Sequence, residues 1–328
     1  MSDFNPYEPN DATFATDDGS PESVSKPIRP RVWPIVLVVP LSLLIFFAAS
    51  GVAIAIGYVI ATGNIDKGIA GQDAMKRVLS SRPGFLVTVV LPQLALMMPA
   101  VIAAWFSPEP FRKRLSLTRG HWPLWAWVAA ALTTPVIGWI SSILVGSLMS
   151  ESENLQRMSD VFRQFGANGF MLPLAFVIGM TPAVCEELLF RGYVQTRLNR
   201  RIGPAMGILL SSFLFAAFHM DPIHCIAVFP LGVYLGVLTW RSGSLFPAML
   251  AHFVNNAISV VAVVIGPESM DDAVSLEMVL FIFIVGVIGL ASGAFTMIAL
   301  WMFAPSASST LTNPEDRKVQ RDEPETRG

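Results

Sequence analysis

Eight apolar runs, most of them about as long as a bilayer is thick, constrain this chain more than anything else in it. A helix crosses the hydrocarbon core with about 20 mostly apolar residues. The runs are 33–61, 85–106, 122–149, 170–190, 203–219, 223–240, 245–265 and 278–303. Lipid cannot satisfy backbone N–H and C=O groups, so spans of this length must be helices. The expected fold class is therefore all-α, a polytopic membrane protein of about eight transmembrane helices. The fifth and sixth runs are short, and Met220-Asp221-Pro222 between them reads as a tight reversal. Charged residues make up 14% of the chain, against about 25% in an ordinary soluble domain.

Outside the runs, residues 1–31 and 304–328 are polar and lack apolar periodicity, so both read as disordered tails flanking a membrane domain at 32–303. A net charge of −2 offers no basic surface for nucleic acid. Cys185 and Cys225 form neither a disulfide framework nor a zinc pattern and read as plain helix residues. Lysine and arginine set the expected orientation. With the N-terminus in the cytoplasm, the inside segments hold sixteen of them and the outside segments six. Both termini are thus expected in the cytoplasm, with the chain integral to the cytoplasmic (inner) membrane. The first loop, with Lys67, Lys76, Arg77 and Arg82, runs against that bias. In 151–169, Leu155, Met158, Val161, Phe162 and Phe165 have the spacing of an amphipathic helix in the interface, although a plain loop also fits. Prolines 40, 92, 135, 173, 182, 230 and 247 are expected to kink their spans.

Ionisable residues inside apolar runs are expensive and mark function. Here they are Glu186, Glu187, Arg191, His219 and His252, with His224 and Arg241 at span edges. The first three runs contain no Asp, Glu, Lys, Arg or His. One shared site built from the fourth, fifth and seventh helices accounts for all of them. Glu187 and Arg191 stand four residues apart, acid first, the favourable order for an ion pair. Glu186 points about 100° away, and its neighbour at i+4 is Phe190. It is the carboxylate left for general acid–base chemistry. Phe215 and His219 share one helix face, as do His252 and Asn256, with Asn255 close by and the weaker candidate. Histidine and asparagine on one face can offer donors to a common oxyanion.

Glu186-Glu187-x-x-x-Arg191, Phe215-x-x-x-His219 and His252-x-x-x-Asn256 resemble the three motifs of the CAAX prenyl protease type II and bacteriocin-processing family of intramembrane endopeptidases. The resemblance covers about residues 165–265. It implies an eight-helix fold with a cavity open to the cytoplasmic side and a glutamate-dependent peptidase that uses no metal or other cofactor. It further implies that Glu186 and His219 activate water, that His252 and Asn256 hold the oxyanion, and that Glu187, Arg191 and Phe215 support them. The implied partners are membrane lipid and a peptide or membrane-associated protein substrate, lipidated or not. Three other readings of the same residues stand beside it. Zinc could be held by His219, His252 and Glu186, although His-Glu-x-x-His is absent. Buried Glu and His could relay protons in a transporter, although no paired interrupted helices mark a repeat. The motifs could also be structural pairs of a non-catalytic scaffold or immunity protein.

Overall fold

The computed structural model describes residues 31–64, 73–149, 152–267 and 274–303. Among these every regular element is a helix. They are α1 (Trp33–Thr62), α2 (Ala74–Ser80), α3 (Arg82–Trp105), α4 (Phe111–Arg114), α5 (Leu124–Gly146), α6 (Glu153–Phe165), α7 (Met171–Glu187), α8 (Thr196–Ile202), α9 (Pro204–Ala217), α10 (Pro222–Ser242), α11 (Phe246–Ile265) and α12 (Leu276–Met302). Two π-helical stretches intervene, Gly166–Phe170 and Leu188–Gln195. The tails expected at 1–31 and 304–328 lie, apart from Arg31, outside the described residues. So do Lys67 and Glu151, and the acids Glu268, Asp271 and Asp272 of the last loop.

Seven described helices are long and apolar enough to cross a membrane. All eight apolar runs become helices, but α9 has only 14 residues. At 1.5 Å per residue it rises about 21 Å, short of the ~30 Å hydrocarbon core. Lipid is also written into the outer surface. Val36, Ile143, Leu172 and Trp301 are each more than 70% exposed, a ring that water would not tolerate. Where helices must touch, small residues let them approach. A Cβ on Gly57 of α1 would lie 2.9 Å from Val78 Cγ1 and 3.0 Å from the Gly84 carbonyl oxygen.

The segment 152–165 is a helix, and its apolar face covers protein. Phe162 and Phe165 are buried against Phe85, with ring centroids 6.4 and 5.1 Å apart. Only Met158 of its apolar positions stays widely exposed. Gly169, at φ 73°, turns the chain from α6 into α7. Pro40, Pro92, Pro135, Pro182 and Pro230 lie inside helices, whereas Pro247 starts α11 at its first turn, where its missing N–H is harmless.

Three of the four apolar clusters among the described residues join the long helices; the fourth, Tyr58 with Ala74 and Val78, ties α1 to α2. Leu96 and Ala100 of α3 pack with Leu189, Phe190, Phe215 and Leu245. Ala126 and Ala130 of α5 pack with Leu231, Leu235, Ala248 and Ala251. Phe85, Phe162, Leu174 and Val260 close the other end. The chain between α4 and α5 is stitched to the α10–α11 turn. Leu245 N–H donates to Ser116 O (2.9 Å), Ser244 Oγ to Thr118 O (2.6 Å) and Thr118 Oγ1 to Gly243 O (2.9 Å). This seam fixes the start of α11, and His252 sits six residues, about 9 Å of helix rise, beyond it.

Glu109, before α4, is bonded by Arg114 (Nη1 to Oε2, 3.2 Å) and by Arg200. Partial burial pushes its carboxyl up, but Arg200 and then Arg114 outweigh this and hold it below the usual carboxylate range. A carboxyl lowered by folding stabilises the fold above its unfolded pKa and loses that contribution as pH falls through its folded one. Acidification from pH 5 to pH 3 should therefore lower the thermal midpoint, and Glu109→Gln should flatten that acid limb.

Candidate active site

Glu186 and Glu187 end α7, and the chain then widens into the π-helical turn Leu188–Gln195. Such turns gather at functional sites. The two adjacent acids meet different surroundings. Glu187 is fully buried, and its Oε1 accepts from Arg191 Nη1 at 2.7 Å and pairs with His252 Nδ1 at 2.9 Å. Arg191, equally buried, also donates from Nη2 to the Gly232 carbonyl of α10 (3.1 Å) and lies 4.2 Å over the Phe215 ring. This is the expected i,i+4 pair, with more partners than one helix could supply.

Glu186 is 9% exposed. Its Oε1 accepts from Gln93 Nε2 of α3 at 2.8 Å. Its Oε2 has no hydrogen-bond partner among the described residues and lies 4.0 Å from His252 Nε2, too far for a direct bond. Gln93 was invisible to a reading based on ionisable residues, because an amide carries no charge. The signal was nevertheless present: Gln93 interrupts a run from Phe85 to Phe106 whose remaining polar residue is Thr88.

His219 follows the end of α9. Its Nδ1 lies 3.1 Å from the Phe215 carbonyl oxygen, which can only accept, so Nδ1 donates and Nε2 keeps its lone pair. The Phe215 ring touches both imidazoles, at 5.1 Å from His219 and 5.8 Å from His252. His224, an interfacial residue on sequence grounds, packs edge-on against His219 at 4.6 Å.

His252 Nδ1 is taken up by Glu187. Asn256, one turn further along α11, accepts at Oδ1 from Asn255 Nδ2 (3.1 Å). Its own amide N–H groups have no hydrogen-bond partner among the described residues. Asn255 is buried against α5, where a Cβ on Gly138 would come within 2.6 Å of its Oδ1. Its side chain thus bridges α5 and Asn256, a contact the sequence did not reveal. Both cysteines are free, with Cys225 Sγ donating to Ala216 O. Among the described residues, no group of three or more His, Cys, Asp or Glu side chains is arranged to hold a metal ion.

Comparison with known proteins falls on this same segment. Residues 168–258 match the family described as type II CAAX prenyl endopeptidase Rce1-like, the family the three motifs resemble. The chain is also similar to the uncharacterized protein YpbD of Bacillus subtilis (strain 168), 31% identical over 91 residues. That stretch is 26% of this chain and 44% of the relative, so the chain spans less than half the length of the curated relative it matches. No solved structure matches significantly.

Proposed function

We propose that this protein is an intramembrane endopeptidase that hydrolyses a peptide bond with a water activated by Glu186 and His219. The observation that carries the reading is the division of labour between adjacent acids. Glu187 is taken up by Arg191 and His252. Glu186 keeps one oxygen without a partner, beside an imidazole nitrogen. The match of residues 168–258 to an endopeptidase family supports it. The substrate would be a membrane-associated polypeptide, reached from the cytoplasmic side of the inner membrane, with both termini of the protein on that side.

The chemistry follows from hydrogen-bond capacity. His219 Nε2 accepts one hydrogen of the water and Glu186 Oε2 takes the other as a proton. The hydroxide adds to the peptide carbonyl carbon. An ionised Glu187 offers only acceptors, so the proton at His252 Nδ1 is fixed, and a second proton at Nε2 makes the ring a donor to the developing oxyanion. Asn256 contributes its amide N–H. The C–N bond then breaks, and the proton held by Glu186 passes to the leaving amine. Gln93 holds the far oxygen of Glu186 so that Oε2 faces the reaction.

Three experiments test this. Comparing the membrane peptidomes of cells carrying wild-type protein and Glu186→Ala should reveal peptides released only by the first. Identical peptidomes would sink the proposal. With purified protein, Gln93→Leu should lower kcat about 10- to 100-fold with KM and abundance unchanged, the range expected for one hydrogen bond to a charged group. Activity should also survive a strong chelator, because the proposed water is activated by side chains alone; loss of activity restored by zinc would favour a metal-held water instead.

A further inference from the structure

At the basic end of the helices lies a second cluster of buried charge, which the peptidase reading does not use. Arg114 of α4 and Arg197 of α8 are 3% and 8% exposed. Both stack on the buried ring of Tyr193, with their Cζ atoms 5.7 and 4.0 Å from its centre. Glu109 answers Arg114, but it is shared with Arg200. Arg114 keeps Nε and Nη2, Arg197 keeps Nε and Nη1, and Tyr193 keeps its hydroxyl, all buried and without a hydrogen bond. Arg197 makes no ion pair with a carboxylate among the described residues, and Glu109 acts on it only at longer range.

Two guanidiniums forced together out of water repel each other and lose hydration worth several kcal/mol each. One shared carboxylate does not compensate them. The missing component is an anion with several acceptor oxygens, which is what two planar forks and a phenol recognise. The position says where such an anion comes from. α3 ends at Trp105 and Phe106, 71% and 82% exposed, the kind of aromatic belt that sits at headgroup level. Arg112 and Arg201 lie exposed on the same elements as Arg114 and Arg197. Basic pockets between helices at this level suit anionic lipid headgroups.

We propose that Arg114, Arg197 and Tyr193 form a site for a phosphate-class oxyanion, supplied by the headgroup of an anionic lipid. Arg197 is the principal ligand, because Arg114 is already half engaged by Glu109. The lipid phosphate ties α4 to α8. Since α8 continues the π-helical turn that carries Arg191, occupancy braces the helix on which both glutamates stand.

The test uses full-length protein in zwitterionic detergent, with thermal unfolding as readout. Dioleoyl phosphatidylglycerol in mixed micelles should raise the midpoint by about 5 °C more than dioleoyl phosphatidylcholine. Arg197→Gln should abolish the difference, while Glu186→Gln should keep it in full, which separates this site from the peptidase reading. Millimolar inorganic phosphate should not reproduce the effect. If it does, the oxyanion chemistry stands and the lipid source is overturned. Equal midpoints in the two lipids would overturn the proposal on wild-type protein alone, whatever the variant does. An undiminished phosphatidylglycerol effect in Arg197→Gln would overturn its location. Should Arg197→Gln fail to fold, Arg197→Lys keeps the charge without the planar fork and should lose most of the increment.

Discussion

Glu186→Gln should reduce peptide cleavage by about 100- to 10,000-fold, the range lost with a general base, while the protein accumulates in the membrane at its normal level. The substitution is nearly isosteric. Its amide can still face Gln93 and fill the same volume, but it cannot take a proton from water. Among the described residues the hydrogen bond to Glu186 comes from a neutral amide, and the carboxylate bonded to Arg191 is that of Glu187. His219→Ala should lose activity by a comparable factor, because the Phe215 carbonyl leaves its Nε2 as an acceptor for the same water. The measurement is turnover of an identified substrate in proteoliposomes, normalised to folded protein. Full activity in Glu186→Gln would remove the general base from the proposal and the peptidase reading with it.

The adjacent position should behave in the opposite way. Glu187→Ala leaves the Arg191 guanidinium fully buried without the carboxylate bonded to it, keeping the Gly232 carbonyl and the Phe215 ring, and frees His252 Nδ1 as well. Breaking a buried pair by removing one partner costs about 3–5 kcal/mol, because the other charge stays behind uncompensated. Membrane abundance and the thermal midpoint should both fall sharply, with activity lost as a consequence. Arg191→Ala should do the same from the other side. Replacing both, as Glu187→Leu with Arg191→Met, should recover much of the stability, since no stranded charge remains. It should recover no activity, because His252 would still lack its anchor. A single Glu187→Ala protein as stable as wild type would show that Glu187 and Arg191 do not carry this load.

Much of this architecture was legible in advance, for a simple reason. Lipid leaves a backbone almost no choice but helix, so the long apolar runs alone yield the all-α membrane class and place its main helices. The Glu187–Arg191 pair was equally legible, because i,i+4 neighbours meet within a single helix. Helix periodicity also separated Glu186 from Glu187. Legibility stopped at contacts between helices. Gln93 reaches Glu186 from 93 residues away in sequence. His252 shares a helix face with Asn256, but its Nδ1 meets Glu187 across the bundle, a contact that periodicity within one helix does not give. The packing of Asn255 against Gly138 of α5 and its hydrogen bond to Asn256 were likewise beyond the reach of the sequence.

The order of residues along the chain thus determined which segments enter the membrane and which acid has a partner on its own helix. It could not determine which side chain of one helix faces which of another. That depends on rotation and depth of each helix, set by the packing of small and large residues over the whole bundle. Only when α3, α7, α9 and α11 are docked does Gln93 find Glu186, and only then do two neighbouring glutamates become one held carboxylate and one free one.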